Sequence, residues 1–513
     1  MAKSKGGSLL SSIKLKKTKS QSLQYQLYSK LRDMILNGSL AGGERLPASR
    51  VLALELEISR TTVINVFDRL ISEGLVESKT GSGSFVKDVF YQQQQLLKSA
   101  RRKSKKTNSE VFELDQSIAG TSSSALQRPK VSQSFLKKAQ QLPMPISHSV
   151  QQSFSTAIPA IDSFPLPVWA RLVAKHSRLP NLTRYNSSKG SHALRQAISS
   201  HLHADRGMVC DAEQIYITSG AHQAFSFLAQ LLIDPGDKVW IENPGSRVAR
   251  NGLLQSEPVL IPVPVDNEGF DVESAQKLSA DFKVATVTPS HQQPRGVLLS
   301  LARRLALLKA ADQANAWVIE DDYDGELFYH HEPLPTLFSL SQAQRVITVG
   351  TFSKTIFPAL RLGYFVVPKH LVNSIDNAIN SFLPAVPLPI QAALAEFIKA
   401  GHFATHIRRS KKLYLERYQA ITHVIERDLN EYLAPIPTST GFHLLALFKQ
   451  SHCEQGIADR ALLENILVRQ LNNYCCEAVS EKGIVLGFGC ITPEQIDVSI
   501  KKLATVFQRE LII

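Results

Sequence analysis

Residues 346–367 read VITVGTFSKTIFPALRLGYFVV, a polar loop enclosed by two apolar runs. Both runs are typical of buried strands, because β-branched and aromatic side chains pack well on a pleated surface. The loop carries Ser353, Lys354 and Arg361. A lysine in this setting suits Schiff-base chemistry, because nearby positive charge and partial desolvation help its amine to lose a proton. Taken alone, a lysine in a loop is nearly always an ordinary surface charge.

Outward from this loop the chain alternates between strand-like and helix-like segments. The strand-like segments are 215–218, 238–242, 284–287, 317–320, 346–350 and 364–367, and the helical patterns include 192–204, 221–232 and 300–315. Strands that alternate with helices predict a mainly parallel sheet covered on both faces. We therefore expect an α/β domain over residues 151–513, with a small C-terminal subdomain.

Three further patches carry candidate ligand-binding groups. Ser219, Gly220 and Ala221 lie where a strand runs into a helix, and free N–H groups at such a helix start bind phosphate. In AWVIEDDYDGE (316–326), Asp321 is placed to hold a protonated ring nitrogen and Tyr323 to donate to a phenolate oxygen. A helix cap, a solvated acidic turn and a divalent-metal site are the alternatives for these carboxylates. The turn 288–296 adds His291, which also suits a core or capping role.

The positive charge is concentrated at the other end of the chain. Residues 1–110 hold 20 of the 58 Lys and Arg residues but 9 of the 45 Asp and Glu residues. A basic segment ahead of a nearly neutral remainder indicates a module that binds a polyanion. We divide this part into a basic arm (1–21), a globular module (22–87) and a flexible linker (88–150).

The module has three helical patterns followed by a short hairpin. The second helix is expected to bury Val51, Leu52 and Leu54. Ser59 is expected to be the N-cap of the third helix. The polar face of this helix carries Arg60, Thr61, Thr62, Asn65 and Arg69. Such a helix can enter a major groove, with hydroxyl and amide groups facing bases and arginines facing phosphates. The alternative is a helical packing module with solvated basic residues.

The stretch GERLPASRVLALELEISRTTVINVFDRLISEGLVESKTGSGSFV (43–86) resembles the GntR-type winged helix-turn-helix. The resemblance implies an α+β DNA-binding domain. It implies DNA contacts by Arg45, Arg50, Arg60, Thr61 and Thr62, with Gly81 and Gly83 at the wing tip.

The C-terminal patches together resemble class I aminotransferases of the fold-type I pyridoxal-phosphate family, and with the winged helix they resemble the MocR/GabR branch of GntR regulators. This resemblance implies pyridoxal 5′-phosphate as cofactor, with Lys354 forming the internal aldimine. The other implied cofactor-binding residues are Ser219, Gly220, Ala221, Gln293, Asp321, Tyr323, Ser353 and Arg361. Tyr185 matches a tyrosine that reaches the phosphate of a neighbouring subunit, so a homodimer is implied. No metal is expected.

The sequence departs from the aminotransferase pattern at two places. Ser246 stands where the family often has an aromatic residue that stacks on the cofactor, and the stretch 482–488 contains no arginine to clamp a substrate carboxylate. A lysine does not reproduce the bidentate contact of a guanidinium. These departures put the recognition of a standard amino acid in doubt.

Three functions follow as hypotheses. The first is a regulator of promoter DNA that senses an amine, an amino-acid-type effector or the cofactor itself through Lys354. The second is an active aminotransferase with an accessory DNA-binding domain, and the third is a DNA-binding protein with an aminotransferase-like dimerisation scaffold. No run is long and apolar enough to cross a membrane, and five cysteines without metal-ligand spacing are typical of reduced thiols. A cytoplasmic location is expected.

Overall fold

The computed structural model describes residues 13, 15, 21–79, 81–87, 132, 153–156, 158–184, 186–329 and 334–510. Nearly all of the expected arm (1–21) and linker (88–150) lies outside these residues. The chain divides into two compact units, Met1–Arg128 and Pro129–Ile513. Each unit is described by itself.

The first unit contains three helices and a two-stranded antiparallel hairpin. Its elements are α1 (Leu23–Leu36), α2 (Ser49–Glu55), α3 (Arg60–Ser72), β1 (Val76–Lys79) and β2 (Gly83–Val86). The Ser59 side chain accepts a hydrogen bond from the Thr62 N–H at 3.0 Å, as expected of an N-cap. This is the predicted order of a winged helix.

The core of the first unit is an apolar stripe shared by α1 and α3. Its fully buried members include Leu27, Leu31, Val63, Val66 and Leu70. Amphipathic helices bury such a stripe because residues three and four apart share one face.

The predicted burial of Val51 and Leu54 is wrong, because these side chains are 48% and 80% exposed. Three residues apart, they share one face of a helix of only seven residues. The buried side chains of α2 are instead those of Leu52 and Ala53.

The second unit combines a large mixed sheet, a small antiparallel sheet and the helices around them. Its helices are α4 (Leu166–Ser177), α5 (His192–Arg206), α6 (Ala221–Leu232), α7 (Arg247–Leu253), α8 (Val272–Leu278), α9 (Leu301–Ala314), α10 (Leu337–Leu340), α11 (Val372–Phe382), α12 (Leu388–Lys399), α13 (His402–Asp428), α14 (Glu454–Leu463) and α15 (Pro493–Glu510). Its strands are β3 (Ile215–Thr218), β4 (Lys238–Asn243), β5 (Val259–Asp266), β6 (Gly269–Phe270), β7 (Val284–Val287), β8 (Trp317–Asp322), β9 (Val346–Thr351), β10 (Gly363–Val366), β11 (Leu433–Pro435), β12 (His443–Phe448), β13 (Arg469–Gln470) and β14 (Gly483–Gly487).

The large sheet has the strand order β3-β10-β9-β8-β7-β4-β5-β6. Strands β9, β8, β7, β4 and β5 run parallel, while β10 is antiparallel to both β9 and β3. Strand β3 therefore points the same way as the parallel set. All six predicted strands lie in this sheet, and the prediction of a mainly parallel sheet is confirmed.

This topology brings the carboxyl ends of six strands to one edge of the sheet. They are the ends of β3, β4, β5, β7, β8 and β9, and antiparallel β10 begins at the same edge. Ligands of open α/β sheets bind beyond the carboxyl ends of the strands. The predicted small C-terminal subdomain is built on the antiparallel sheet β11-β12-β14-β13. Among the described helices, none is long and apolar enough to span a membrane.

Candidate functional site

The carboxyl edge of the large sheet collects most of the predicted cofactor-binding residues. Ser219 follows β3, Asp321 is the penultimate residue of β8, and Lys354 lies three residues after β9. Asp321 lies 102 residues after Ser219, and Lys354 lies 33 residues after Asp321. They lie at one edge because the carboxyl ends of β3, β8 and β9 point the same way in one sheet.

The start of α6 forms a cradle beside a guanidinium group. Gly220 has φ +106°, a conformation that L side chains rarely adopt, and a Cβ at this position would lie 3.8 Å from Cζ of Arg361. Arg361 enters the edge just before β10. A helix N-terminus next to an arginine is a setting for a phosphate group.

Two serines of this cradle make local contacts. The Ser219 N–H and hydroxyl both donate to Oε1 of Gln223, at 2.6 and 3.0 Å. The Ser353 N–H donates to the hydroxyl of Thr351 at 3.2 Å. These contacts hold the two turns that follow β3 and β9.

Asp321 is a buried carboxyl with a serine as neighbour. The Ser246 hydroxyl donates to its Oδ2 at 3.1 Å. Burial raises the pKa of Asp321 to about 8, against a smaller lowering by this hydrogen bond. The serine that replaces the expected stacking aromatic residue therefore contacts the carboxyl predicted to hold a ring nitrogen.

Tyr323 follows Asp321 and is also buried. Its hydroxyl donates to the backbone carbonyl of His291 at 2.9 Å and lies 3.1 Å from Nδ1 of the same residue. The turn after β7 thus fixes the direction of the tyrosine that was predicted to contact the cofactor.

Lys354 has a side-chain amine whose pKa is lowered. Burial lowers its pKa to about 8, Arg469 lowers it further, and Asp324 and Asp321 oppose the change. Its Nζ lies 5.9 Å from the centroid of the Phe442 ring. An amine with this pKa is neutral in a larger fraction of molecules near neutral pH than an ordinary lysine, and nucleophilic attack requires the neutral form.

Two predicted cofactor residues are less informative. Gln293 is half-buried, and its N–H donates to Thr288 Oγ1 at 3.4 Å while its carbonyl accepts from Gln292 at 2.9 Å. Tyr185 lies outside the described residues. Both assignments stay predictions.

The structure adds two arginines that the sequence reading did not single out. Arg469 lies on β13 and pairs with Val485 of β14. Strand β14 belongs to the stretch 482–488, which contains no arginine of its own. Burial and the nearby Arg247 lower its pKa to about 10, while Tyr474 opposes the change. Burial also lowers the pKa of Arg247. Of these two arginines, Arg469 lies close enough to Lys354 to lower the pKa of its amine.

The predicted DNA-binding residues share the surface of the first unit. Those classed as exposed are Arg45, Arg50, Arg60, Thr61, Asn65, Gly81 and Gly83, while Thr62 is half-buried. Cβ at Gly83 would lie 3.2 Å from Nε of Arg45, which places the wing beside that guanidinium.

The start of α3 is tied to its cap and to α2. The Arg60 Nε–H donates to Ser49 Oγ at 3.4 Å, and the hydroxyls of Ser59 and Thr62 lie 2.7 Å apart. Thr61 and Asn65 remain on the outer face. The geometry suits a recognition helix flanked by a wing.

Comparison with protein families matches both units. Residues 23–86 match the family of bacterial regulatory proteins of the gntR type, and residues 154–503 match aminotransferase class I and II. The probable rhizopine catabolism regulatory protein MocR of Rhizobium meliloti is 34% identical over 484 residues, 94% of this chain and 93% of that protein. The pyridoxine biosynthesis transcriptional regulator PdxR of Corynebacterium glutamicum is 29% identical over 91% of this chain and 92% of its own.

Solved structures show the same fold in the second unit. Kynurenine aminotransferase of Pyrococcus horikoshii, in complex with PMP, is 24% identical with a TM-score of 0.66, covering 75% of this chain and 96% of that one. α-Aminoadipate aminotransferase of Thermus thermophilus, complexed with N-(5′-phosphopyridoxyl)-L-leucine, is 23% identical with a TM-score of 0.65, over 74% and 96%. Pyridoxal 5′-phosphate is the cofactor of this fold family. The chain belongs to the GntR family of bacterial transcription regulators, in the MocR-type group that joins a winged helix to an aminotransferase class I and II domain.

Proposed function

We propose that this chain binds promoter DNA through residues 22–87 and senses an amino-acid-type amine at a pyridoxal 5′-phosphate site in residues 151–513. Residues 88–150 are proposed to link the two domains. The observation that carries the proposal is a buried lysine of lowered pKa at the same sheet edge as a buried carboxyl and a helix start flanked by arginine.

The residues of the edge fit the cofactor. A carboxyl as buried as Asp321 is unstable as an anion unless a cation lies against it, and a protonated pyridine nitrogen is such a cation. The cradle at Gly220 and the guanidinium of Arg361 suit the phosphate, and Ser219, Ala221 and Ser353 are proposed as further phosphate contacts. The Tyr323 hydroxyl, which donates to the backbone carbonyl of His291 in this structure, is proposed to donate to the ring oxygen when the cofactor is bound. Tyr185 and Gln293 are retained as proposed contacts, the first from the partner of a homodimer.

The chemistry depends on the Lys354 amine. When bound, the cofactor supplies an aldehyde carbon that primary amines attack. Because burial lowers the pKa of Lys354 to about 8, its amine loses its proton at a lower pH than an ordinary lysine does, and the neutral amine can make that attack. Lys354 would hold that carbon, and an amine effector that competes for it would leave the Lys354 amine free to accept a proton, which would add positive charge at the sheet edge.

Arg469 and Arg247 favour an effector with a carboxylate. Burial lowers the pKa of both guanidinium groups, and the charge of Arg247 lowers the pKa of Arg469 further. A bound carboxylate relieves this repulsion and can accept paired hydrogen bonds from a guanidinium. We therefore propose that these arginines bind the effector's carboxylate, since the stretch 482–488 contains no arginine that could do so.

A change at the site can alter DNA binding only if the effector binds two arrangements of the chain with different affinity. The DNA-binding residues are proposed to be Arg45, Arg50, Arg60, Thr61, Thr62, Asn65, Gly81 and Gly83. The exposed ones present charge and hydrogen-bonding groups on α3, the α2 start and the wing.

The test uses the purified full chain and a fragment of its own promoter. Wild type should bind pyridoxal phosphate with an imine absorption that Lys354→Ala abolishes while retaining its fold and DNA affinity. DNA affinity should respond to β-alanine more than to propylamine, which lacks the carboxylate, and Arg469→Gln should remove this difference. A wild type that stays colourless with excess cofactor contradicts the proposal. Rapid transamination of a common amino acid would favour an active enzyme instead.

A further inference from the structure

A network of buried hydrogen bonds joins two loops at the carboxyl edge of the large sheet. The first loop, called the β4 end, comprises residues 242–246, and the second, called the β7 turn, comprises residues 288–296. Glu242 and Gln292, at the centre of the network, are 6% and 1% exposed and have no role in the proposed function. A carboxyl and an amide buried to this degree need hydrogen-bond partners for their polar atoms.

Glu242 accepts its hydrogen bonds from the β7 turn. Its Oε1 accepts from the Thr288 N–H at 3.0 Å, and its Oε2 accepts from the Thr288 hydroxyl at 2.5 Å and from Nε2 of Gln292 at 3.2 Å. Burial raises the pKa of Glu242 to about 7, and the hydrogen bonds from Thr288 and Gln292 oppose this rise. The carboxyl of the β4 end is thus held by three donors of one turn.

Gln292 connects the two loops in the opposite direction. Its Nε2 also donates to the backbone carbonyls of Pro244 and Gln293, each at 2.9 Å, and its Oε1 accepts from the Arg295 N–H at 3.1 Å. Rotating the amide by half a turn would set its oxygen against two carbonyls and its NH₂ group against an N–H donor. The Gln292 side chain is therefore held in one orientation between the loops.

Each loop contacts one group of the proposed cofactor site. In the β4 end, the Ser246 hydroxyl donates to Asp321 at 3.1 Å. In the β7 turn, the backbone carbonyl of His291 accepts from the Tyr323 hydroxyl at 2.9 Å, and Nδ1 of its ring lies 2.7 Å from Oδ2 of Asp324. The carboxyl and the tyrosine are proposed to contact the nitrogen and the oxygen of one ring, so the distance between the loops bears on both contacts.

We propose, building on the cofactor site of the proposed function, that Glu242 and Gln292 are positioning residues which hold the two loops at the separation that the cofactor ring requires. A rigid ring is contacted at two of its atoms at once only if the contacting groups are held in place by a second set of residues. Gly245 permits the tight bend of the β4 end, because a Cβ there would lie 2.4 Å from the backbone oxygen of Glu242. In this role the pair acts through other residues and not on the cofactor itself.

The choice of variant has to separate position from charge. The charge of Glu242 raises the pKa values of Asp321 and Tyr323, so Glu242→Gln would change the electrostatics of the site as well as its geometry. Gln292→Met removes the amide that joins the loops and keeps a flexible side chain of similar length. It also leaves the Glu242 carboxyl in the chain. Gln292→Met is therefore the primary variant.

The experiment follows the absorbance of pyridoxal phosphate bound to the full chain between pH 6 and 10, whose midpoint reports protonation next to the ring oxygen. A hydrogen bond donated to this oxygen favours its charged form, so Tyr323→Phe should raise the midpoint by about one pH unit. Gln292→Met should raise it by about half a unit and weaken cofactor binding about tenfold, because the tyrosine is less well placed. The double variant should have the midpoint of Tyr323→Phe alone, because the hydrogen bond that Gln292 helps to position is then absent.

Glu320 offers a matched control on the other face of the sheet. It precedes Asp321 on β8, and successive residues of a strand point to opposite faces. Its buried carboxyl accepts from the N–H groups of Leu337 and Phe338 and from the hydroxyl of Thr348. Glu320→Gln should therefore lower the stability of the chain and leave the midpoint of the bound cofactor unchanged.

The outcomes distinguish the inference from the function on which it rests. Thermal unfolding identifies a variant that fails to fold, and Thr288→Val, which removes one donor to Glu242, decides the test if Gln292→Met does fail. A folded variant with a wild-type midpoint overturns the inference, and so do additive shifts in the double variant or an equal shift in Glu320→Gln. A wild-type chain that takes up no pyridoxal phosphate overturns instead the proposed function.

Discussion

Replacing Asp321 by Asn should stabilise the cofactor-free protein at alkaline pH and weaken its binding of pyridoxal phosphate. Burial raises the pKa of Asp321 to about 8 in the folded chain, whereas an unfolded chain titrates aspartate near pH ~3.9. A carboxyl whose folded pKa is raised contributes stability that is complete below the unfolded value and is lost as the pH rises through the folded value. The loss in wild type should therefore span roughly pH 4 to 8.

The size of the effect follows from the pKa difference. About four pKa units correspond to roughly 5 kcal/mol, since one unit is worth about 1.4 kcal/mol. Partial access of water reduces this figure, so we expect Asp321→Asn to exceed wild type by about 2–5 kcal/mol in free energy of unfolding at pH 9. In the loaded protein the order reverses, because removing one partner of a buried ion pair costs about 3–5 kcal/mol. Cofactor affinity should then fall by at least about 100-fold.

Fluorescence provides a selective assay. The three tryptophans are Trp169, Trp240 and Trp317, all in the second unit. Urea unfolding followed at their emission from pH 5 to 9 therefore reports on that unit alone, and absorbance titration gives the cofactor affinity. Parallel pH dependences for wild type and Asp321→Asn would refute the reasoning about burial. An unchanged affinity would remove Asp321 from the cofactor site.

Three further outcomes are expected. Arg60→Ala should weaken promoter binding by about 1–3 kcal/mol and lower its salt dependence, whereas Lys30→Ala, at an exposed position of α1, should not. Equal effects of the two substitutions in a filter-binding assay would contradict the assignment of α3. Gly350→Ala should lower the unfolding free energy of the second unit by about 1–3 kcal/mol, because the new Cβ would lie 2.2 Å from Cζ of Tyr364; a wild-type urea midpoint would show that the strand relaxes. Gly220→Ala should reduce cofactor affinity about tenfold through its strained positive φ, and an unchanged absorbance titration would argue against the cradle as a phosphate site.

Much of the fold was predictable from local pattern. The β-branched runs fixed six strands of the large sheet, and the spacing of Val63, Val66 and Leu70 predicted α3 with its buried face. Such periodicities depend only on near neighbours in sequence. The short helix α2 was predicted less well, since two turns offer too few positions to define which stripe is buried, and Val51 and Leu54 were assigned to the wrong side.

Part of the site could also be predicted from the sequence, because its polar residues lie at or just after the ends of predicted strands. Lys354, Asp321 and the start of α6 were singled out in this way. Arg469 was not, because its two-residue strand leaves no periodic signal and its neighbour Val485 is sixteen residues away. The contact between His291 and Asp324 was not predicted, because the two residues lie in different loops and no sequence pattern joins them.

The sequence by itself determined the order of the two modules, the strands of the sheet and the residue types available for chemistry. Only the tertiary structure decided which of those residues are neighbours, since the packing of parallel strands sets the loop contacts at their carboxyl edge. It also decided their proton affinities. A carboxyl or an amine has nearly the same pKa in any exposed chain, and the burial of Asp321 and Lys354 in one edge brings both to about 8.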